Sequence, residues 1–230
     1  MMRHPSGSMT RRALQRLGVR SLAAASLVLL AALILAALVV FARSKTGAVH
    51  RLDVSTANDL NRYLAGHRGQ VHLWKAVTDI GGPSTWRVLA AVAVVVLWVR
   101  RQRRAAMFVA VAMIGAAVLS GVTKALIGRA RPIVKVPMDR VGGGSFPSGH
   151  ALTSFAAVGT LLLLLLPVLS TAWRAVLVSA AVVVVAAVGF SRLILGVHYV
   201  TDVLGGWLIA GLWLAALWSV FRRGGRRRPA

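Results

Sequence analysis

The chain has 230 residues, 57% of them hydrophobic, and carries a formal charge of +23. That apolar content and a mean hydropathy of +0.73 exclude an ordinary soluble domain and place the chain in a membrane. With no cysteine and no glutamate, disulfides, thiolate zinc sites and cysteine nucleophiles are excluded.

The first apolar segment, from Ser21 to Ala42, exceeds the core of a cleaved signal peptide and predicts a retained anchor helix behind a basic tail at 1–20. The stretch from Arg43 to Gly82 reads as an outer loop with short amphipathic helices. Leu60 and Leu64 share one face and Val71, Trp74 and Val77 another, parted by Gly66 and Gly69. This loop either lies at the outer interface beside a substrate or packs as a cap over the bundle. The second span, Pro83 to Val99, is short, and needs Trp86, Trp98 and the long stems of Arg87 and Arg100 to reach both interfaces.

Four further spans run from Ala105 to Thr123, Gly149 to Leu169, Trp173 to Phe190 and Val203 to Phe221, the last followed by a basic tail at 222–230. Gly205, Gly206 and Gly211 predict close helix approach in the sixth span. The fold expected is therefore all-α, a single bundle of six transmembrane helices over 21–221 with an amphipathic region on one face.

Arginine and lysine counts orient it. The side holding both tails and the short turns carries fifteen cations and no acid, whereas the other carries thirteen cations and all five aspartates. The dense, acid-free side is assigned to the cytoplasm, and both termini with it. The bursts of arginine between apolar runs do not form the continuous basic face that nucleic acid requires, so no nucleic-acid partner is expected.

Three polar clusters then share the outer face: Lys124 to Pro132, Pro147 to His150, and Ser191 to Asp202. Lys124, Arg129 and Arg131 each serve equally well as interfacial anchors when taken singly. Lys124 and Arg131 are seven apart, which on a helix is two turns and one face, a clamp for a dianionic phosphate. Ser148 reads as the N-cap of the fourth helix, where Gly149 and His150 offer unpaired backbone donors to an anion. His198 and Asp202 are four apart, which on a helix pairs carboxylate with imidazole and leaves the other ring nitrogen free to attack. Arg192 adds a third cation. The acids Asp53, Asp59, Asp79, Asp139 and Asp202 are too scattered for a hard-metal site, so neither metal nor other cofactor is expected. Gly142 to Gly144 reads as a loose loop or a mobile flap.

Lys124-x6-Arg131-Pro132, Pro147-Ser148-Gly149-His150 and Ser191-Arg192-x5-His198-x3-Asp202 resemble the three-part signature of the type 2 phosphatidic acid phosphatase family, which is shared with vanadium haloperoxidases. The resemblance implies that His198 attacks phosphorus and forms a phosphohistidine, that Asp202 orients it, and that His150 protonates the leaving oxygen and later activates water. It implies that Lys124, Arg131, Ser148, Gly149 and Arg192 hold the phosphate oxygens, without metal. The expected substrate is a lipid phosphate or lipid pyrophosphate drawn from the surrounding membrane lipids at the outer face of a plasma membrane. The same residues also suit a lipid-linked phosphotransferase, and the cations alone suit an anion-binding membrane protein without chemistry.

Overall fold

The computed structural model describes residue 26 and residues 28–44, 46–139 and 141–224; the basic tail expected at 1–20, the start of the first span at 21–25 and the end of the C-terminal tail at 225–230 lie outside the described residues. The elements among the described residues are all helices: α1 (Val28–Arg43), α2 (Ala48–Gly66), α3 (Gly69–Ile80), α4 (Pro83–Val99), α5 (Arg103–Ile127), α6 (Gly149–Leu165), α7 (Thr171–Ile194) and α8 (Val200–Gly224). Five stretches are long and apolar enough to cross a membrane, and six if the bent pair of α1 and α2 counts as one.

The expected spans from α5 to α8 appear with ends within a few residues of their predicted positions. Pro167 falls in a 3-10 turn, Leu166–Val168, that closes α6. The short second span is lengthened by its neighbour, because α3 and α4 together form one apolar stretch of 31 residues, Gly69–Val99. Pro83 opens α4 at its first position, where a missing N–H costs nothing. No residue of α4 is buried, as befits a helix facing lipid.

α6 is the axis of the bundle and packs on α5, α7 and α8. Its Leu152 and Ala156 join Met113 and Ala116 of α5, Ile209 and Ala210 of α8 and Leu38 of α1 in the central core. Close approach is written into glycines. A Cβ on Gly206 would stand 2.8 Å from the Ser148 carbonyl oxygen, and one on Gly205 2.5 Å from the Phe146 ring, whereas Gly211 meets Phe155 only at ordinary contact distance.

The loop at 43–82 is a packed cap. Leu60 and Leu64 of α2 with Val71 and Trp74 of α3 close over Ile194, Leu195 and Val197 in a second small core. α1 meets α2 at a bend of 73°, so α2 turns across the bundle end rather than continuing the span. Asp53, Ala57, Asn61 and Leu64 form its buried face, which puts an acid and an amide against the end of the bundle where the three polar clusters lie.

Candidate active site

The first cluster does not form one helical face. Gly128 adopts φ 60° and its N–H bonds the Lys124 carbonyl at 3.0 Å, ending α5 at Ile127. Arg131, held out of the α region by Pro132, follows in irregular chain. The two cations nonetheless converge. Lys124 Nζ donates to the Gly144 carbonyl at 2.6 Å, and Arg131 Nη2 to the same oxygen at 3.4 Å. Arg131 also donates from Nε to Gly143 (3.1 Å), from Nη2 to Gly142 (3.0 Å) and from Nη1 to Val197 (2.8 Å). The triple-glycine segment is therefore tied to the two cations through its carbonyl oxygens, neither loose nor detached.

The third cluster is likewise a turn rather than a helix. Gly196, at φ 73°, turns the chain after α7, and the N–H groups of Val197 and His198 both donate to the Arg192 carbonyl. α8 begins only at Val200, so His198 precedes it, while Asp202 lies in its first turn. The expected pairing survives by another route. Asp202 Oδ2 reaches back to accept the Tyr199 N–H at 2.9 Å, as an acid in the third position of a helix does, and lies 3.4 Å from His198 Nδ1. The Ser145 hydroxyl donates to the same oxygen in a short bond.

Arg131 settles the imidazole tautomer. Its Nη1 is 3.2 Å from His198 Nε2, and a guanidinium can only donate, so Nε2 presents its lone pair and Nδ1 carries the proton that faces Asp202. Burial pushes the His198 imidazole down to about 4; the hydrogen bond and charge of Asp202 pull upward, and the charges of Arg131 and Arg192 add to the lowering. A neutral imidazole with Nε2 unprotonated is the form a nucleophile needs, and the Arg131 donor must leave that lone pair before it can attack.

The second cluster supplies the helix start that was expected. After a cis Phe146–Pro147 bond, Ser148 caps α6, its Oγ accepting from Ala151 N–H at 3.4 Å. Its own N–H donates to the Asp202 carbonyl at 2.9 Å, joining α6 to α8. Gly149 faces α5: a Cβ there would lie 3.5 Å from Ser120 Oγ and 3.9 Å from Lys124 Cε. The first-turn donors of Gly149 and His150 have no intrahelical partner. His150 Nε2 approaches the α3–α4 junction, 3.5 Å from where a Cβ on Gly82 would stand, within electrostatic range of Arg192, His198, Lys124 and Arg131.

Arg192, in the last turn of α7, is 1% exposed. Its Nη1 donates to Thr78 of α3 and its Nη2 to Asp139 at 3.4 Å, while its buried Nε has no partner among the described residues. All eight residues expected at the site thus meet in one polar cluster. Sequence reasoning missed Asp53, Thr78, Ser145 and Thr201 altogether and left Arg129 as an anchor. Arg129 is buried, donating to Asp202 Oδ1 at 2.5 Å and to Asp53 Oδ2 at 2.8 Å. The available signal was Asp53 itself, an acid in register with the apolar face of α2.

Chemically, Lys124, Arg131 and Arg192 surround a neutral imidazole, with a second imidazole and a helix N-terminus beside them. Such an array suits a phosphoryl group, whose charge spreads over three oxygens in the transition state.

The family model described as the PAP2 superfamily matches residues 105–226. The phosphatidylglycerophosphatase B of Bacillus subtilis (strain 168) is 42% identical over 91 residues, 38% of this chain and 44% of that protein. The undecaprenyl-diphosphatase of Sulfolobus acidocaldarius is 28% identical over 173 residues, 71% of this chain and 70% of that protein. Among solved structures, a transmembrane PAP2-type phosphatidylglycerolphosphate phosphatase from Bacillus subtilis superposes with a TM-score of 0.76 at 23% identity, covering 87% of this chain and 98% of that one.

Proposed function

The chain belongs to the PAP2 superfamily and is a multi-pass membrane protein, and on that footing we propose that it hydrolyses a lipid phosphate or lipid pyrophosphate, without metal, through a phosphohistidine on His198. The observation that carries this reading is the 3.2 Å contact between Arg131 and His198 Nε2, which sets the phosphate-binding fork beside the attacking lone pair.

In the proposed reaction Lys124, Arg131 and Arg192 hold the nonbridging oxygens, with Ser148 and the first-turn donors of Gly149. The Nε of Arg192 has no partner among the described residues, and the donors of Arg131 and Lys124 would exchange their present carbonyl oxygens for phosphate oxygens. His198 Nε2 attacks phosphorus as the bond to the leaving oxygen breaks, and His150 gives that oxygen its proton. Asp202 stabilises the imidazolium that results. Water, deprotonated by His150, then breaks the P–N bond and releases inorganic phosphate.

The names of the relatives supply two substrates to try, and phosphatidic acid is a third, simpler lipid phosphate. Purified protein in lipid vesicles, in the presence of a chelator, is offered phosphatidylglycerophosphate, phosphatidic acid and undecaprenyl diphosphate, with free phosphate as the readout. Release from at least one is expected, and release from none overturns the reading.

The proposed setting is a plasma membrane, with a single phosphatase domain over 21–221, both tails cytoplasmic and the site on the outer face. The native chain has no cysteine, and Ile133 is almost fully exposed beside the site. Ile133→Cys in intact cells should react with an impermeant maleimide. Labelling only after lysis would invert the topology.

A further inference from the structure

The proposed chemistry leaves two buried charges unused, Arg129 and Asp53. Arg129 follows the glycine that ends α5, and Asp53 comes from the cap helix α2. They join at 2.8 Å, and Arg129 continues to Asp202 at 2.5 Å. Thr201 knits the group together: its hydroxyl donates to Asp53 Oδ2 and accepts from Arg129 Nη1 at 2.7 Å, while its N–H donates to Asp53 Oδ1 at 3.2 Å. Asp53 therefore also caps the first turn of α8, from 148 residues away. The Arg129 guanidinium lies over the Tyr199 ring, 4.2 Å from its centroid, which holds its plane.

We propose that Asp53 and Arg129 are positioning residues that set the orientation and the effective charge of Asp202, so that the cap helix is part of the catalytic unit; this rests on His198 being the nucleophile. With Oδ1 bound by Arg129, the carboxylate is fixed so that Oδ2 faces His198, Tyr199 N–H and Ser145. A guanidinium spent on Asp202 alone would cancel the carboxylate's charge just where an imidazolium must be stabilised. Because Asp53 shares it, the Asp53–Arg129–Asp202 group keeps one net negative charge. The other charged side chains around His198 are Arg131 from the segment after α5, Lys124 from α5 and Arg192 from α7, the last paired with Asp139 at 3.4 Å. On its Nδ1 side, the imidazolium formed during phosphoryl transfer meets that negative charge through Asp202.

The test is a double-mutant cycle on the full chain in vesicles, with turnover normalised to the amount of folded protein, and with alkali-stable phosphoenzyme trapped from a radiolabelled lipid phosphate as a separate readout. Asp53→Asn keeps the shape and removes the charge. Its kcat should fall by about 10- to 100-fold, the size typical of outer partners that orient a functional imidazole, with KM changed less than about twofold, because no phosphate contact is lost. Added to Asp202→Asn, it should cost nothing further, since it acts through that carboxylate. Unchanged kcat in Asp53→Asn, or a full additive loss in the double variant, overturns the proposal. Should Asp53→Asn give no folded protein, Arg129→Lys, which keeps the charge but cannot span both carboxylates, takes its place in the cycle, and an unchanged kcat or a full additive loss again overturns the proposal. A wild-type protein that forms no phosphoenzyme at all would instead sink the nucleophile assignment.

Discussion

Arg131 and His198 are in contact: guanidinium Nη1 lies 3.2 Å from imidazole Nε2. A residue that would hold phosphate thereby also dictates which nitrogen of His198 is unprotonated. Binding and activation share one hydrogen bond, which a phosphate oxygen must take over as it arrives.

That dual role makes Arg131→Lys a severe change. A lysine keeps the charge but not the planar fork that now spans the carbonyls of Gly142, Gly143 and Val197 and reaches His198. We expect kcat/KM to fall by about 10²- to 10³-fold, the range for losing a preorganised donor to a transition-state anion. Steady-state phosphate release measures it, and a loss below threefold would remove Arg131 from the site.

His198→Ala should abolish both turnover and phosphoenzyme, whereas Asp202→Asn should retain a phosphoenzyme that forms up to about 10⁴-fold more slowly, as when a catalytic imidazole loses its carboxylate. Rapid quenching in alkali, where a phosphoramidate persists and an acyl phosphate does not, distinguishes the two. His150→Ala should cost about 10²- to 10⁴-fold.

The pH dependence follows from His198. Its attacking form is neutral, and burial holds its ionisation near 4, below the ordinary value of about 6.5. Activity limited by this group is therefore present above about pH 4 and lost as pH falls through it, and the acid limb of kcat/KM should sit well below 6. Stability has the same sign. Between the two values the unfolded chain binds the proton and the folded chain does not, so folding should weaken as pH drops from about 6.5 towards 4. An acid limb at 6.5 or above would contradict a buried neutral nucleophile.

Gly206→Ala tests the helix seam beneath the site. The added methyl would sit 2.8 Å from the Ser148 carbonyl oxygen and 3.1 Å from the Leu152 nitrogen, both backbone atoms that cannot rotate away. Forced separation of α6 from α8 should cost about 1–3 kcal/mol, as overpacking does. Thermal unfolding in detergent measures it. Gly211→Ala, whose methyl meets Phe155 at 3.7 Å, should be nearly silent.

The spans were legible because a bilayer demands long apolar runs, and Ala105 to Thr123 or Val203 to Phe221 announce themselves without reference to the rest of the chain. The site was legible for a different reason: Lys124, Ser148, His198 and Asp202 are ionisable or polar groups at the margin of an apolar bundle. Their local geometry was not legible. Helical spacing suggests that Lys124 shares a face with Arg131 and His198 with Asp202, but α5 ends at Ile127, capped by Gly128, before Arg131, α8 begins only after His198, and the pairs meet through turns. Arg129 was hidden because its partner Asp53 is 76 residues away, and the pairing exists only once α2 folds back over the bundle end.

The Ser148 N–H and the Asp202 carbonyl share a hydrogen bond of 2.9 Å. Through it, the segment that carries His150 and the one that carries His198 are joined backbone to backbone, with no side chain between them. Bilayers of different thickness tilt helices and slide them past one another, and such shear is felt most where contacts are only apolar. Here the backbone bond pins the start of α6, which carries His150, to the start of α8, which follows His198, so that shear between these helices is resisted at that end of the bundle.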